Sequence, residues 1–316
     1  MRPCKTGPDT PWYPQQSEMF YGNTVLDATV NPSPQRLTPE QRAFYVEEGY
    51  LCLRGALPPD LLALSTHVLQ KWMDETAQEW LAKGLIRDLG EHLSFAERLG
   101  TLWRAAGRPT YIRSPRRDLV SPEMYRILVH PSLLAIAEDL LGTDELSVHG
   151  VFNGRPKLPD QKWTDTPWHQ DAQYYRDAEH NHVVSMWYPL QRVTEENSCL
   201  QVAPRCQNGV LYEGFIDEET GFLGLSREDR DRLKGVSVEM DPGDVLCFPQ
   251  KTPHRALPNR SDRVRWSIDI RYEATANATV SGKADGFIAR SPKEPTAILS
   301  CEAWLAKWRD RPAGAY

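Results

Sequence analysis

Past Gly142 the chain breaks into short apolar stretches at 146–152, 183–190, 199–203, 234–240, 244–248 and 264–273. Gly, Pro, Asn and Asp punctuate the gaps between them, which is the pattern of an all-β sandwich or barrel. The composition agrees, because 25 Pro and 20 Gly favour a turn-rich chain over a helical bundle. The clearest alternation lies at 264–272. Val264, Trp266, Ile268, Ile270 and Tyr272 share one face, and Arg263, Arg265, Ser267, Asp269 and Arg271 share the other. A strand of period two places those sets on opposite sides of a sheet. The apolar face must pack on protein, which leaves the polar face free to line a cavity.

The first half reads differently. Residues 1–37 are Pro-rich and polar, an extended arm over the surface. Thr38-Pro39-Glu40-Gln41 combines Thr at N-cap, Pro at N1 and Gln at N3, the start of a helix that runs through Glu48 and stops at Gly49. Residues 50–57 alternate as a strand. Pro58-Pro59-Asp60 opens a long amphipathic helix to about Lys83, and 84–118 is mixed, with Arg-rich loops around 113–117. Residues 121–141 form two helical pieces divided at Pro131 and closed by Gly142. One more helix falls near 297–308. Residues 38–316 are therefore expected to form a single domain, with a helical part (38–143), a β-barrel core (144–273) and a tail (274–316).

Charge narrows the partners. With 37 Lys and Arg against 43 Asp and Glu, the net charge is −6, which argues against a nucleic-acid or anionic-membrane surface. No apolar run is long enough to span a bilayer. The N-terminus lacks the apolar core of a signal peptide, so a cytoplasmic location is expected. The six cysteines are scattered without a CxxC pair and are expected to be free thiols.

His169-Gln170-Asp171 places an imidazole and a carboxylate at i and i+2, on one side of an extended segment. A histidine from a distant strand would complete two His and one carboxylate on one face of an octahedral metal, a set that suits non-haem Fe(II). His254 is the candidate. Pro242-Gly243-Asp244 forms a tight turn before it, and the short buried run 245–248 delivers it to a fixed place. Metal held this way competes with protons, so binding weakens as pH falls toward the histidine range. Eleven positions after His254 stands Arg265, whose planar fork suits a carboxylate. His180-Asn181-His182 is a rival pair in a loop-like stretch and reads as solvated. His149, on a predicted strand, could face a pocket or pack.

Four ordered blocks, TPWHQDAQYY (166–175), VSMWYPLQRVTEENSCLQVAP (184–204), DPGDVLCFP (241–249) and TPHRALPNRSDRVRWSIDIRY (252–272), resemble the phytanoyl-CoA dioxygenase-like family of Fe(II)/2-oxoglutarate-dependent oxygenases. The resemblance implies a mainly β fold with flanking helices around a double-stranded β-helix, the cupin-like jelly roll. It also implies that His169, Asp171 and His254 are the catalytic metal ligands and that Arg265 grips the distal carboxylate of 2-oxoglutarate. Gln170 and Trp187 stand where the family lines the cosubstrate pocket. With O₂ as second cosubstrate, the implied reaction is oxidation, by default hydroxylation, of an unactivated C–H bond of a small molecule, with release of succinate and CO₂, and specialised metabolism is the expected setting. A carboxylate at position 171 disfavours halogenation. Two departures stand out: Pro204-Arg205-Cys206-Gln207 replaces the usual end of the second block, near the rim, and Ala256 stands where some members carry a hydroxyl.

Two rivals stay open, a cupin-like metalloenzyme that does not use 2-oxoglutarate and a non-catalytic binding protein on the same fold. Succinate formation separates them. Trp163, Trp168, Trp187, Tyr174 and Tyr175 suggest an aromatic-walled pocket for a substrate with an apolar or ring-bearing part. They serve equally well as barrel core. Arg113, Arg116 and Arg117 are either an anion-binding cluster or a solvated loop, and no feature sets the oligomeric state.

Overall fold

The computed structural model describes residues 36–110, 112–113, 116–159, 161, 165–175, 183–218 and 220–310. Nearly all of the expected arm, Trp163, and the His180 and His182 pair lie outside the described residues. In chain order the elements are α1 (Pro39–Glu48), β1 (Leu51–Leu53), α2 (Pro59–Ala82), α3 (Phe95–Ala105), α4 (Pro122–Leu128), α5 (Pro131–Leu141), β2 (Leu146–Lys157), β3 (Val183–Pro189), β4 (Leu200–Val202), β5 (Phe215–Ile216), β6 (Leu223–Gly224), α6 (Arg227–Arg232), β7 (Val236–Val238), β8 (Val245–Pro249), β9 (His254–Ala256), β10 (Arg265–Ala274), α7 (Val280–Asp285), β11 (Phe287–Arg290) and α8 (Cys301–Arg309).

Two antiparallel sheets form the jelly roll. The larger runs β1-β8-β3-β10-β2-β11 and the smaller β7-β4-β9. Strand alternation divides the larger sheet's side chains between two apolar layers. Trp266, Ile268, Ile270 and Tyr272 of β10, Met186 and Tyr188 of β3, and Val245 and Cys247 of β8 pack outward in one buried cluster with Leu61 and Trp72 of α2, Met124 of α4 and Leu133 of α5. Trp187, Leu246 and Phe248 point inward and meet Leu200, Val202, Val238 and Ala256 of the smaller sheet. Each such side chain taken from water contributes about 1.5–3 kcal/mol. Three polar tips in the outer layer are satisfied: Tyr272 Oη donates to Leu128 O (2.9 Å), Trp266 Nε1 to Phe95 O (3.1 Å), and Tyr188 Oη pairs with Ser65 Oγ (2.9 Å), whereas Trp72 Nε1 has no partner among the described residues.

The capping box that opens α1 is present in both directions, Gln41 N to Thr38 Oγ1 (3.2 Å) and Thr38 N to Gln41 Oε1 (2.9 Å). Gly49, at φ 75°, ends the helix. Arg205 and Gln207 do not shape a rim. Arg205 N donates to Glu48 O (2.8 Å) and Gln207 Nε2 to Val46 O (2.7 Å), so this segment satisfies carbonyls at the end of α1. The expected strand at 50–57 shrinks to β1, because Gly55 turns at φ 58° and its N–H bonds Asp244 Oδ1 (2.8 Å).

β2 runs past the expected end at 152 through Gly154 and Pro156 to Lys157. Gly154 looks like a strand breaker, yet a Cβ there would stand 2.4 Å from Leu69 Cδ2, so close packing of α2 on the sheet demands glycine. α3 lies in the segment read as mixed, and the tail holds α7 and β11 besides the expected helix, which is α8. Among the described residues no helix is long and apolar enough to cross a membrane. The five described cysteines, Cys52, Cys199, Cys206, Cys247 and Cys301, are free thiols.

Glu273 on β10 is fully buried, and its Oε2 accepts from Thr279 N (3.0 Å) and Thr279 Oγ1 (3.1 Å) at the start of α7. Its Oε1 has no partner. Burial pushes the carboxyl up to about 7, against the pull of the Thr279 bonds. A folded-state pKa above the unfolded one contributes stability at low pH that is lost as pH rises through 7. Glu273→Gln should therefore raise Tm by about 2–4 °C at pH 8 and by much less at pH 5. Thermal melts at the two pH values check this, and an equal shift at both would contradict a charged buried carboxylate.

Candidate metal centre and cosubstrate cavity

His169 lies outside the named strands but pairs with His254, the first residue of β9, through reciprocal backbone bonds of 3.0 Å and 2.9 Å. That bridge places both imidazoles side by side, with ring centroids 4.1 Å apart. The turn at Gly243 (φ 99°) and strand β8 lead into the His254 loop, and Thr252 Oγ1 donates to Gly49 O (2.6 Å), fixing the loop against the end of α1. Asp171 opens a single 3₁₀ turn, Asp171–Tyr174, immediately after the bridge.

The chemistry of each ring nitrogen follows from its neighbours. His169 Nδ1 bonds Pro167 O (2.8 Å) and His254 Nδ1 bonds Thr252 O (3.0 Å). A carbonyl can only accept, so both protons sit on Nδ1 and both Nε2 lone pairs are free. The two Nε2 atoms lie 3.8 Å and 3.9 Å from Asp171 Oδ1. The three ligand atoms are all within 4.8 Å of one another. Burial, and then the neighbouring His254, push His169 down to about 3; burial likewise lowers His254. Both rings are neutral at physiological pH, and proton competition for a metal moves below the ordinary histidine range.

Asp171 is 2% exposed. Burial alone would raise its carboxyl, but Arg271 and the two imidazoles hold it far below the usual carboxylate range. Arg271 forks onto it, Nη2 to Oδ1 (2.9 Å) and Nε to Oδ2 (3.0 Å), and Ser185 Oγ donates to Oδ2 (2.5 Å). Asp269 accepts from Arg271 Nη1 (2.5 Å), Asn153 Nδ2 (2.8 Å) and Arg155 Nε (2.7 Å). Two neutral imidazoles and one ionised carboxylate are the donor set that suits non-haem Fe(II). Sequence reasoning placed Arg271 and Asp269 on the polar face of their strand but gave them no part in the site. Ser185 carried no signal.

A cavity of about 440 Å³ opens beside the cluster, and its walls include His169, His254, Trp187, Phe248, Ala256 and Arg265. Arg265 is 2% exposed. Its Nη1 donates to Ser267 Oγ (2.5 Å), its guanidinium carbon lies 5.3 Å from the Trp187 ring centroid, and its Nε has no partner. No carboxylate among the described residues forms an ion pair with it. Gln170 turns away. Its Nε2 donates to Val210 O (3.1 Å) and Lys251 O (2.7 Å), and its Oε1 accepts from Tyr212 N (2.8 Å). Flanked by two inward residues, it fastens loops behind the site instead of lining this cavity. Trp168 also faces outward, packed with Ala203 and Leu225 and covered by Arg255 at 5.0 Å.

A second chamber, of about 630 Å³, shares His169 and Arg271 with the first and is lined by Tyr174, Tyr175 and Arg116. Arg113 lines the first cavity and pairs with Glu75 (3.0 Å), while Arg117 lines a separate pocket beside α2. His149 is buried, and its Nδ1 accepts Val151 N–H (3.1 Å). It thereby closes a bulge in β2 where the register shifts opposite Arg271.

Removing one partner of a buried ion pair strands the other charge. Arg271→Ala should lower the stability of the metal-free protein by about 3–5 kcal/mol in urea unfolding. A divalent metal should recover part of that loss. A variant as stable as the wild type would mean that Asp171 does not depend on Arg271.

Comparison with known proteins agrees with this architecture. The family model for phytanoyl-CoA dioxygenase matches residues 45–267. A probable phytanoyl-CoA dioxygenase from Caenorhabditis elegans is 24% identical over 262 residues, 79% of this chain and 79% of the relative. The peroxisomal phytanoyl-CoA dioxygenase of Bos taurus is 24% identical over 273 residues, 84% of this chain and 74% of the relative. The crystal structure of EctD from S. alaskensis with 2-oxoglutarate and 5-hydroxyectoine shares the fold, with a TM-score of 0.51 at 21% identity over 81% of this chain and 82% of that one. The chain belongs to the phytanoyl-CoA dioxygenase family and is a 2-oxoglutarate-dependent dioxygenase that uses iron.

Proposed function

We propose that His169, Asp171 and His254 hold the Fe(II), that Arg265 binds the distal carboxylate of 2-oxoglutarate, and that the enzyme hydroxylates an unactivated C–H bond of a small organic molecule. The observation that carries this reading is the buried Arg265 guanidinium, which has no carboxylate partner among the described residues and shares a cavity with the His169–Asp171–His254 cluster. A buried cation calls for an anion. The Ser267 hydroxyl on one side and the Trp187 ring beneath hold the fork in place, which suits a carboxylate more than a lysine would. Bound iron supplies the redox chemistry, with overall balance R–H + 2-oxoglutarate + O₂ giving R–OH + succinate + CO₂.

The chain's own residues orient and shelter. Pro167 O and Thr252 O keep each Nε2 available, while Arg271 and Ser185 hold Asp171 ionised with Oδ1 toward both imidazoles. Trp187, Leu200 and Phe248 give the first cavity an apolar wall that excludes water and suits an apolar or ring-bearing substrate part. The EctD structure, with its two small-molecule ligands, supports a small molecule as substrate class here.

The metal assignment is checked by iron content: His254→Ala should lose most of the one Fe(II) that the wild-type chain binds. Full iron stoichiometry in that variant would exclude His254 as a ligand. The cosubstrate assignment is checked by succinate release against 2-oxoglutarate concentration. Arg265→Ala should raise the apparent KM by roughly 30–1000-fold with iron still bound, and Arg265→Lys should fall between. An unchanged KM would place the carboxylate elsewhere.

A further inference from the structure

Arg155 stands at the junction of the two chambers and lines both. It is anchored at one point, Nε to Asp269 Oδ1 (2.7 Å), and the side chain stays 37% exposed. Neither terminal Nη group has a hydrogen-bond or ion-pair partner among the described residues. The one carboxylate it touches is shared, because Asp269 also takes Arg271 Nη1 (2.5 Å). Arg271 in turn is committed to Asp171, whose charge belongs to the metal centre. With Arg271 taken by Asp171, Asp269 is the carboxylate left to Arg155, and both Nη groups of Arg155 still face the chambers; Asp285 lines the second chamber as well. Positive neighbours crowd the same wall. Arg116 reaches Asn153 Oδ1 through Nε (3.2 Å) and Nη2 (3.1 Å), and Asn153 is itself bonded to Asp269. Burial first, and then the like charge of Arg155, press Arg116 down to about 10; Arg265 is pressed down to about 9 by the same two causes in the same order. The Tyr175 hydroxyl, on a residue 7% exposed that lines the second chamber, is buried without a partner.

We infer that the substrate carries an oxyanion, a carboxylate or a phosphate-type group, and that the free end of Arg155 binds it with Arg116 alongside, making Arg155 the residue that selects anionic substrates. The inference rests on the reading that Arg265 takes 2-oxoglutarate, because that leaves Arg155 for the substrate. Two terminal N–H pairs fixed by the Nε anchor match the two oxygens of a carboxylate or phosphate. The apolar walls around Phe222 and Val151 would take the uncharged part of the molecule.

The test uses protein loaded with Fe(II) and saturated with 2-oxoglutarate under anaerobic conditions, so that Arg265 is occupied and no turnover occurs. Titration calorimetry with phenylacetate, phenyl phosphate and the neutral phenylacetamide reads the second chamber directly. Either anion should bind at least tenfold tighter than the amide, and the tighter of the two tells carboxylate from phosphate. Arg155→Gln should weaken the anion roughly 10–100-fold while 2-oxoglutarate affinity stays within about threefold. Arg155→Lys should recover part of the loss. Arg116→Gln, on a separate segment, should weaken the same anion less and keeps the test open if Arg155→Gln does not fold. Amide binding as tight as the anions, no anion binding tighter than roughly 10 mM, or Arg155→Gln with unchanged anion affinity would each overturn the inference. Loss of 2-oxoglutarate binding in Arg155→Gln would overturn it too, by giving Arg155 to the cosubstrate. A wild-type protein that fails to bind 2-oxoglutarate in the preceding titration would instead overturn the reading of Arg265.

Discussion

The buried pair of Asp171 and Arg271 is the constraint on which the site depends. A carboxylate at 2% exposure costs several kcal/mol unless it is paired and hydrogen-bonded. Here it is both, through a two-point fork and a serine hydroxyl. The same bonds fix which oxygen faces the imidazoles. The requirement then spreads outward: Arg271 needs Asp269, Asp269 needs Arg155 and Asn153, and these four side chains line up across β10 and β2 only because the two strands are in register. The bulge in β2, closed by His149, is what lets the register change opposite Arg271 without losing the pairing on either side.

β10 makes this possible by being a wall with two faces. Its outward residues, from Trp266 to Tyr272, anchor the helical layer, while its inward residues, from Arg265 to Arg271, carry the polar chemistry. A strand whose inner face holds three charged side chains would be costly by itself. The outer layer of Trp, Ile and Tyr against α2, α4 and α5 supplies the burial that offsets it. Fold and site are thus two sides of one strand.

That division explains what could be read from the chain alone. Strict alternation made β10 legible, and the HxD spacing with a later histidine made the cluster legible, since period two is a local property. Arg265 was separable from Arg271 only through the family resemblance, because alternation ranks every residue of a face alike. Gln170 was misplaced for a related reason: the residue between two inward side chains points out, and its neighbours Val210, Lys251 and Tyr212 are distant in sequence. β2 was cut short at 152 because Gly154 and Pro156 carry the marks of a turn, while the contact with Leu69 that demands glycine is tertiary. α3 was missed where Arg98, Gly100 and Arg104 interrupt its apolar stripe, although Leu99, Leu102 and Trp103 are buried.

The bond from Thr252 to the end of α1 joins residues 203 apart in sequence, and the bonds from Arg271 to Asp171 join residues 100 apart. Contacts of such separation form only after long loops have closed, late in folding. The unfolded chain therefore offers no preformed chelate, because His169 meets His254 only when the backbone bridge between their distant segments has closed. The complete His169–Asp171–His254 donor set is thus a property of the folded chain, and no short stretch of the sequence carries it alone.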